Sequence, residues 1–167
     1  KKYKSIIMRR STQTRSSLVR SRRPTRGYNP DSLGEQEKKL LELIDKKTKA
    51  KTNQEKRRIS EEISTFDCSR CNLDGMTLSQ RNLSGINFGG ANLNNINFHG
   101  SNTNLERCNF TVSNFSKNSV DRANMSNTVW EAANISECIF EDVDLDSAWF
   151  NDTNISKTII ENCNFDS

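Results

Sequence analysis

Proline, histidine and long apolar runs are nearly absent from this chain of 167 residues, which holds 2 prolines and 1 histidine. No stretch approaches the roughly 20 consecutive apolar residues that a membrane-crossing helix needs, so no transmembrane segment is read. With His99 as the single histidine, general acid–base chemistry lacks its commonest side chain. Glycines are too few and too scattered to form a phosphate-cradling loop. Cys68 and Cys71 make a CxxC, half of a zinc site, but no second pair stands at a suitable spacing. We therefore assign no catalytic residue, no cofactor and no metal, and expect a protein that is not an enzyme. The five cysteines, Cys68, Cys71, Cys108, Cys138 and Cys163, are read as small buried apolar residues. That reading suits a reducing compartment. So do seven N-x-S/T sequons, which a secretory route would expose to glycosylation.

Acid is also missing from residues 1–30, which carry ten Lys and Arg. Residues 1–60 hold 19 basic against 6 acidic side chains, and residues 61–167 hold 6 against 15. The overall charge of +4 thus conceals two opposite halves.

What the chain has in place of long apolar runs is a beat. From Cys68 onward one large apolar residue recurs every five positions, through Leu73, Leu78, Leu83, Phe88, Leu93 and Phe98. After a two-residue slip at Ser101 and Asn102 it resumes at Leu105 and continues to Phe165, giving 20 beats in all. Five residues of α-helix turn through about 500°, so successive apolar side chains would drift by about 140°. A strand alternates with period two and would send them to opposite faces in turn. A chain that bends at each fifth residue, four bends to a coil, brings every one of them to a common interior.

The residue before the beat is Asn or Asp in 14 of the 20 repeats, among them Asn72, Asn92, Asn109, Asn134, Asp144 and Asn164. This pattern resembles the pentapeptide-repeat family, over about the last three fifths of the chain. The resemblance implies a mainly β fold, a right-handed quadrilateral β-helix of about five coils in which each coil touches only its neighbours. Sorted by fours, the beats make four columns. Face one is Cys68, Phe88, Phe110, Trp130 and Phe150; face two Leu73, Leu93, Phe115, Ile135 and Ile155; face three Leu78, Phe98, Val120, Phe140 and Ile160; face four Leu83, Leu105, Met125, Leu145 and Phe165. The columns hold only if the slip bulges from a corner as a small loop. Arg81 and Asn118 fall in inward slots meant for small residues. Arg81 is expected to reach out of the open end, and Asn118 to find hydrogen-bond partners inside.

Three segments follow: a basic extended arm at 1–30, a helical cap at 31–65 and the β-helix at 66–167. The arm cannot bury a core of its own. It reads either as a solvated or organelle-targeting segment or as an arm laid on an anionic surface such as RNA. In the second reading Arg9, Arg10, Arg15, Arg20, Arg22, Arg23 and Arg26 meet phosphates and Tyr3 and Tyr28 stack on bases. Capping-box spacings at Ser32/Glu35 and Thr52/Glu55 predict helices over about 33–50 and 53–65. The first, with a weak apolar stripe, is expected to dock on a partner. The second brings Ile59, Ile63 and Phe66 over the first coil.

Late in the repeats the outward slot before the beat turns apolar, at Val129, Ile139, Trp149 and Ile159. With Ile160 and Phe165 of the last layer, these are the candidate partner-binding residues. A second copy or another subunit is expected to close that layer. The leading function is a non-catalytic scaffold, a structural or assembly subunit of a large organellar complex, plastid favoured over mitochondrion. The alternative, drawn from the family's quinolone-resistance members, is a DNA-mimicking gyrase-binding protein of the bacterial cytoplasm.

Overall fold

The computed structural model describes residues 34–99 and 102–166, with the side chain of His99 excepted. Two helices, α1 (Glu35–Lys49) and α2 (Asn53–Ser64), precede a wall of parallel rungs. The longest rungs form strands β1 (Asn97–His99), β2 (Ser119–Asp121), β3 (Ile139–Glu141) and β4 (Ile159–Glu161), paired in chain order in one parallel sheet.

Single parallel bridges supply the other three faces and fix the register. Asp67, Asn87, Asn109, Val129 and Trp149 pair in one column; Asn72, Asn92, Asn114, Asn134 and Asn154 in a second; Asn82, Asn104, Asn124, Asp144 and Asn164 in a third. Partners lie 20 residues apart except across the slip, where Asn87 meets Asn109 and Asn97 meets Ser119 at a separation of 22. The four columns therefore run unbroken past the insertion. Thr103 bridges the gap: its buried hydroxyl accepts the Gln80 backbone N–H at 2.8 Å. The tip of the bulge lies outside the described residues.

Each corner turns on a left-handed residue, such as Arg70 at φ 61°, Gly90 at 67° and Ala132 at 52°. The turn is closed by a bond from the next inward residue, as from Ala91 N–H to Phe88 C=O at 2.9 Å. Outside, side-chain amides stack as ladders, with Asn92 donating to Asn72 and Asn134 to Asn114, both at 3.0 Å. The same carbonyls accept the N–H two residues on, as from Ser136 to Asn134 at 3.1 Å. Asn is favoured before the beat because one short amide satisfies its own turn and the adjacent rung.

Inside, face one is an aromatic stack. Phe88 and Phe110 lie 5.4 Å apart, Phe110 and Trp130 4.1 Å, and Trp130 and Phe150 5.9 Å, all near-parallel. Asn118 is fully buried, as the inward slot requires, and it is satisfied. It donates to Leu93 C=O and Phe115 C=O, each at 2.8 Å, and accepts the Ile96 N–H at 2.7 Å.

Both helices cover the first coil. Leu40, Leu43 and Ile44 of α1 and Ile59 and Ile63 of α2 join the same apolar core as Phe66 and Leu73. The expectation that α1 awaits a partner is thus corrected: its apolar stripe is already spent on the end of the rod. Its N-terminus also differs, since the N-cap is Gly34 and no side chain caps it. Thr52 does cap α2, accepting the Glu55 N–H at 3.2 Å.

Candidate partner-binding surface

The first coil has no preceding coil to receive its backbone donors, and α1 substitutes a side chain. The carboxylate of Glu37, itself buried, accepts the Asn72 N–H at 2.7 Å, where in the next coil the Asn92 N–H reaches back to Cys71 C=O. Arg81 reaches the same helix, donating to the Thr48 hydroxyl at 3.2 Å. No periodicity marks Glu37, which lies on a helix outside the repeat.

Cys68 and Cys71 form a disulfide. The reading of all five cysteines as separate buried thiols is corrected here, which removes their support for a reducing compartment. Sequence reasoning missed the pair because every corner brings a central residue and the next inward residue together in the interior. Here both are cysteine, with Cα atoms 5.3 Å apart, well within bridging range. Cys108 and Cys138 are buried and outside any disulfide. Burial pushes the Cys108 thiol up from 9.0 to about 12, and that of half-buried Cys163 up to about 11, so neither is poised as a nucleophile.

The polar surface likewise assembles no reactive constellation among the described residues. Asp67 is held below the ordinary carboxylate range by the Ser69 backbone N–H, then by the Ser69 hydroxyl and the Asn87 amide, but it sits in a ladder with no base beside it. Among the described residues no group of three His, Cys, Asp or Glu side chains is placed to hold a metal ion. None of the described helices is long and apolar enough to cross a membrane.

Exposed apolar surface, by contrast, is concentrated on two parts of the rod. Large apolar side chains exposed among the described residues are Val112 at 63%, Trp149 at 61%, Phe165 at 43% and Ile155 at 37%. Trp149 caps the outer column of face one above half-buried Val129, and the amide ladder of Asp67, Asn87 and Asn109 ends where these two replace asparagine. Val112 and Ala132 stand at successive corners of the same face, both exposed. Ile155 and Phe165 belong to the last layer with half-buried Phe150 and Ile160.

Ile139 does not join this surface. It is 4% exposed, held in the outer column of face three between Ser119 and Ile159, so its place as an exposed contact is corrected. Ile159 is half-buried. Val112 was not foreseen, because it lies at a corner position whose side chain the repeat leaves variable, whereas Ile155 belongs to the layer expected to need a cover. The arm residues Arg9, Arg10, Arg15, Arg20, Arg22, Arg23 and Arg26 lie outside the described residues.

A fold of stacked parallel rungs in four columns, one large apolar residue per five, defines a class of solenoid built from pentapeptide repeats. The chain belongs to that family: the model for pentapeptide repeats matches eight copies over residues 67–102, 101–129 and 131–166. Solved structures with similarity include HetL, a pentapeptide repeat protein involved in heterocyst differentiation regulation in the cyanobacterium Nostoc sp. strain PCC 7120. It is 17% identical, with 57% of this chain and 47% of that one covered and a TM-score of 0.33. A pentapeptide repeat protein of the Arabidopsis thaliana thylakoid lumen is 17% identical over 55% of this chain and 59% of its own, with a TM-score of 0.36. QnrB1, a plasmid-mediated fluoroquinolone resistance protein, is 15% identical over 58% and 61%, with a TM-score of 0.38. The chain thus spans between 47% and 61% of the length of these three. Among curated proteins none matches.

Proposed function

We propose that this chain is a non-catalytic protein-binding scaffold: a five-coil right-handed β-helix over 66–167, capped by the helices of 31–65. It serves as a structural or assembly subunit of a large organellar complex, in a compartment that tolerates the Cys68–Cys71 bond. Residues 1–30 add a basic attachment to the assembly, and face one of the rod presents Val112, Ala132, Val129 and Trp149 to a protein partner. Phe165 and Ile160 of the last layer extend the contact.

The observation that carries this reading is Val112. It is 63% exposed and sits at φ 59°, a left-handed conformation that a β-branched residue adopts only at a cost. Neither burial nor backbone preference favours valine there, so a demand from outside the fold accounts for it, and strain of this kind is a pointer toward function. Trp149, one rung beyond Val129, adds the large aromatic area that interaction hot spots favour.

DNA mimicry suits the charge less well. Along residues 66–130 four acids face five bases. Asp121 is paired with Arg122 at 2.8 Å and Glu137 with Lys157 at 3.8 Å, which breaks the even negative surface that mimicry requires.

The test compares Val112→Gly and Trp149→Asp with the wild type by sedimentation of native extracts. Both variants should stay folded and leave the large particle for the top of the gradient. Variants that co-sediment as the wild type does, or a wild type that inhibits gyrase supercoiling instead, would overturn the reading.

A further inference from the structure

The Cys68–Cys71 disulfide lies where both cap helices join the rod. Two residues before it, Phe66 is bonded to α2 through Ile63 C=O at 3.0 Å and accepts the Asn87 N–H at 3.1 Å. One residue after it, Asn72 is bonded to Glu37 of α1. The corner between these two anchorages is also closed by a backbone bond from Cys71 N–H to Cys68 C=O at 3.2 Å and tied to the next coil by Cys68 N–H to Asn87 C=O at 2.8 Å and Arg70 N–H to Gly89 C=O at 2.9 Å.

Cys68 is also the odd member of its column. The other four residues of face one are aromatic and stack on one another, whereas Cys68 fills its slot with one sulfur, bonded to that of Cys71. Thiols deeper in the rod have a preceding coil beneath them: Cys108 donates to Leu83 C=O at 3.0 Å and Cys138 to Phe115 C=O at 3.1 Å. A reduced Cys71 would have only the cap below it.

We propose that this disulfide is a reducible lock on the helical cap. Oxidised, it holds α1 and α2 against the first coil. A dithiol reductant attacks one sulfur through its thiolate, forms a mixed disulfide, and closes to its own disulfide. It thereby passes two electrons to the pair, and with two protons Cys68 and Cys71 become thiols. The corner then relies on its backbone bonds alone, the cap lifts more readily, and Leu73 and Leu78 of the first coil become available as a second binding end. The lock is guarded: Cys68 and Cys71 are 0% and 3% exposed, so the reductant reaches them only from a state in which the cap has opened, and the rate of reduction reports that opening.

This inference is independent of the face-one surface, and its test needs no partner. Hydrogen exchange read by mass spectrometry on the full chain, before and after reduction with dithiothreitol, should show the amides of α1 and α2 losing protection on the order of tenfold. Residues 104–145 should be unchanged. Glu37→Ala should release the two thiols faster than the wild type. So should Gly85→Ala, since a Cβ at Gly85, where φ is +80°, would stand 2.6 Å from Ser64 C=O at the end of α2. Equal protection of the helices in the two redox states, or thiol release at the wild-type rate in both variants, would overturn the proposal. So would free Cys68 and Cys71 in protein purified oxidised and alkylated.

Discussion

Asn118 and Cys108 show how little freedom an inward slot leaves. Asn118 answers three backbone groups at once, and leucine in its place would strand the Leu93 C=O and the Ile96 N–H inside the rod and leave Phe115 C=O with the Cys138 thiol alone. At about 1–3 kcal/mol for each buried group left unpaired, Asn118→Leu should lower stability by about 3 kcal/mol or more in urea unfolding, although it makes the slot more apolar. Cys108 makes the rod sensitive to base. Its thiol, ordinarily near 9.0, rises to about 12 when folded because burial penalises the thiolate. Below 9 both states are protonated and the contribution is complete; between 9 and 12 the unfolded chain ionises first and stability falls. The decline approaches about 1.4 kcal/mol per pH unit for one thiol. Urea midpoints at about pH 8 and about pH 10 should therefore differ less in Cys108→Ala than in the wild type.

The rung is the unit that the sequence announces, and the cap is the part it announces poorly. One apolar residue per five fits neither a helix nor a flat strand, so the columns of Phe110, Phe115, Val120 and Met125 with their neighbours could be set down in register, including the shift of 22 between Asn87 and Asn109. Asn118 and Arg81 were legible as misfits because the pattern names the size of their slots. Glu37, Val112 and the disulfide were not. Glu37 acts from a helix outside the repeat, Val112 stands at a corner where the repeat fixes the backbone but not the side chain, and Cys68 with Cys71 looked like two of five inward cysteines until the corner brought them side by side. The aromatic column tests the register. Phe110 stacks on both Phe88 and Trp130, so Phe110→Asp would place an unpaired charge between two rings. The cost of several kcal/mol is comparable to the stability of a whole domain, and circular dichroism should show the neighbouring rungs melting. An unchanged melting curve would mean that the columns are wrongly assigned.

As a whole the molecule presents unlike sides. The outer column of face two is asparagine throughout, from Asn72 to Asn154, with side-chain amides tying Asn92 to Asn72, Asn134 to Asn114 and Asn154 to Asn134. Face one gives up that ladder for Val129 and Trp149 and exposes Val112 between them and the cap. Charge is unevenly spread as well, with nine of the fifteen acids of residues 61–167 at or beyond Glu131. A scaffold with such sides should be held by one of them. The most direct measurement places a photo-crosslinking side chain in the full chain at Val112 or Ala132 on face one, and at exposed Lys117 or Lys157 on face two, and irradiates each variant in its native extract. Face-one positions should cross-link to the same partner, and the face-two positions, two rungs of the same rod, should give none. Equal cross-linking from both faces, or a partner captured from face two alone, would contradict the account.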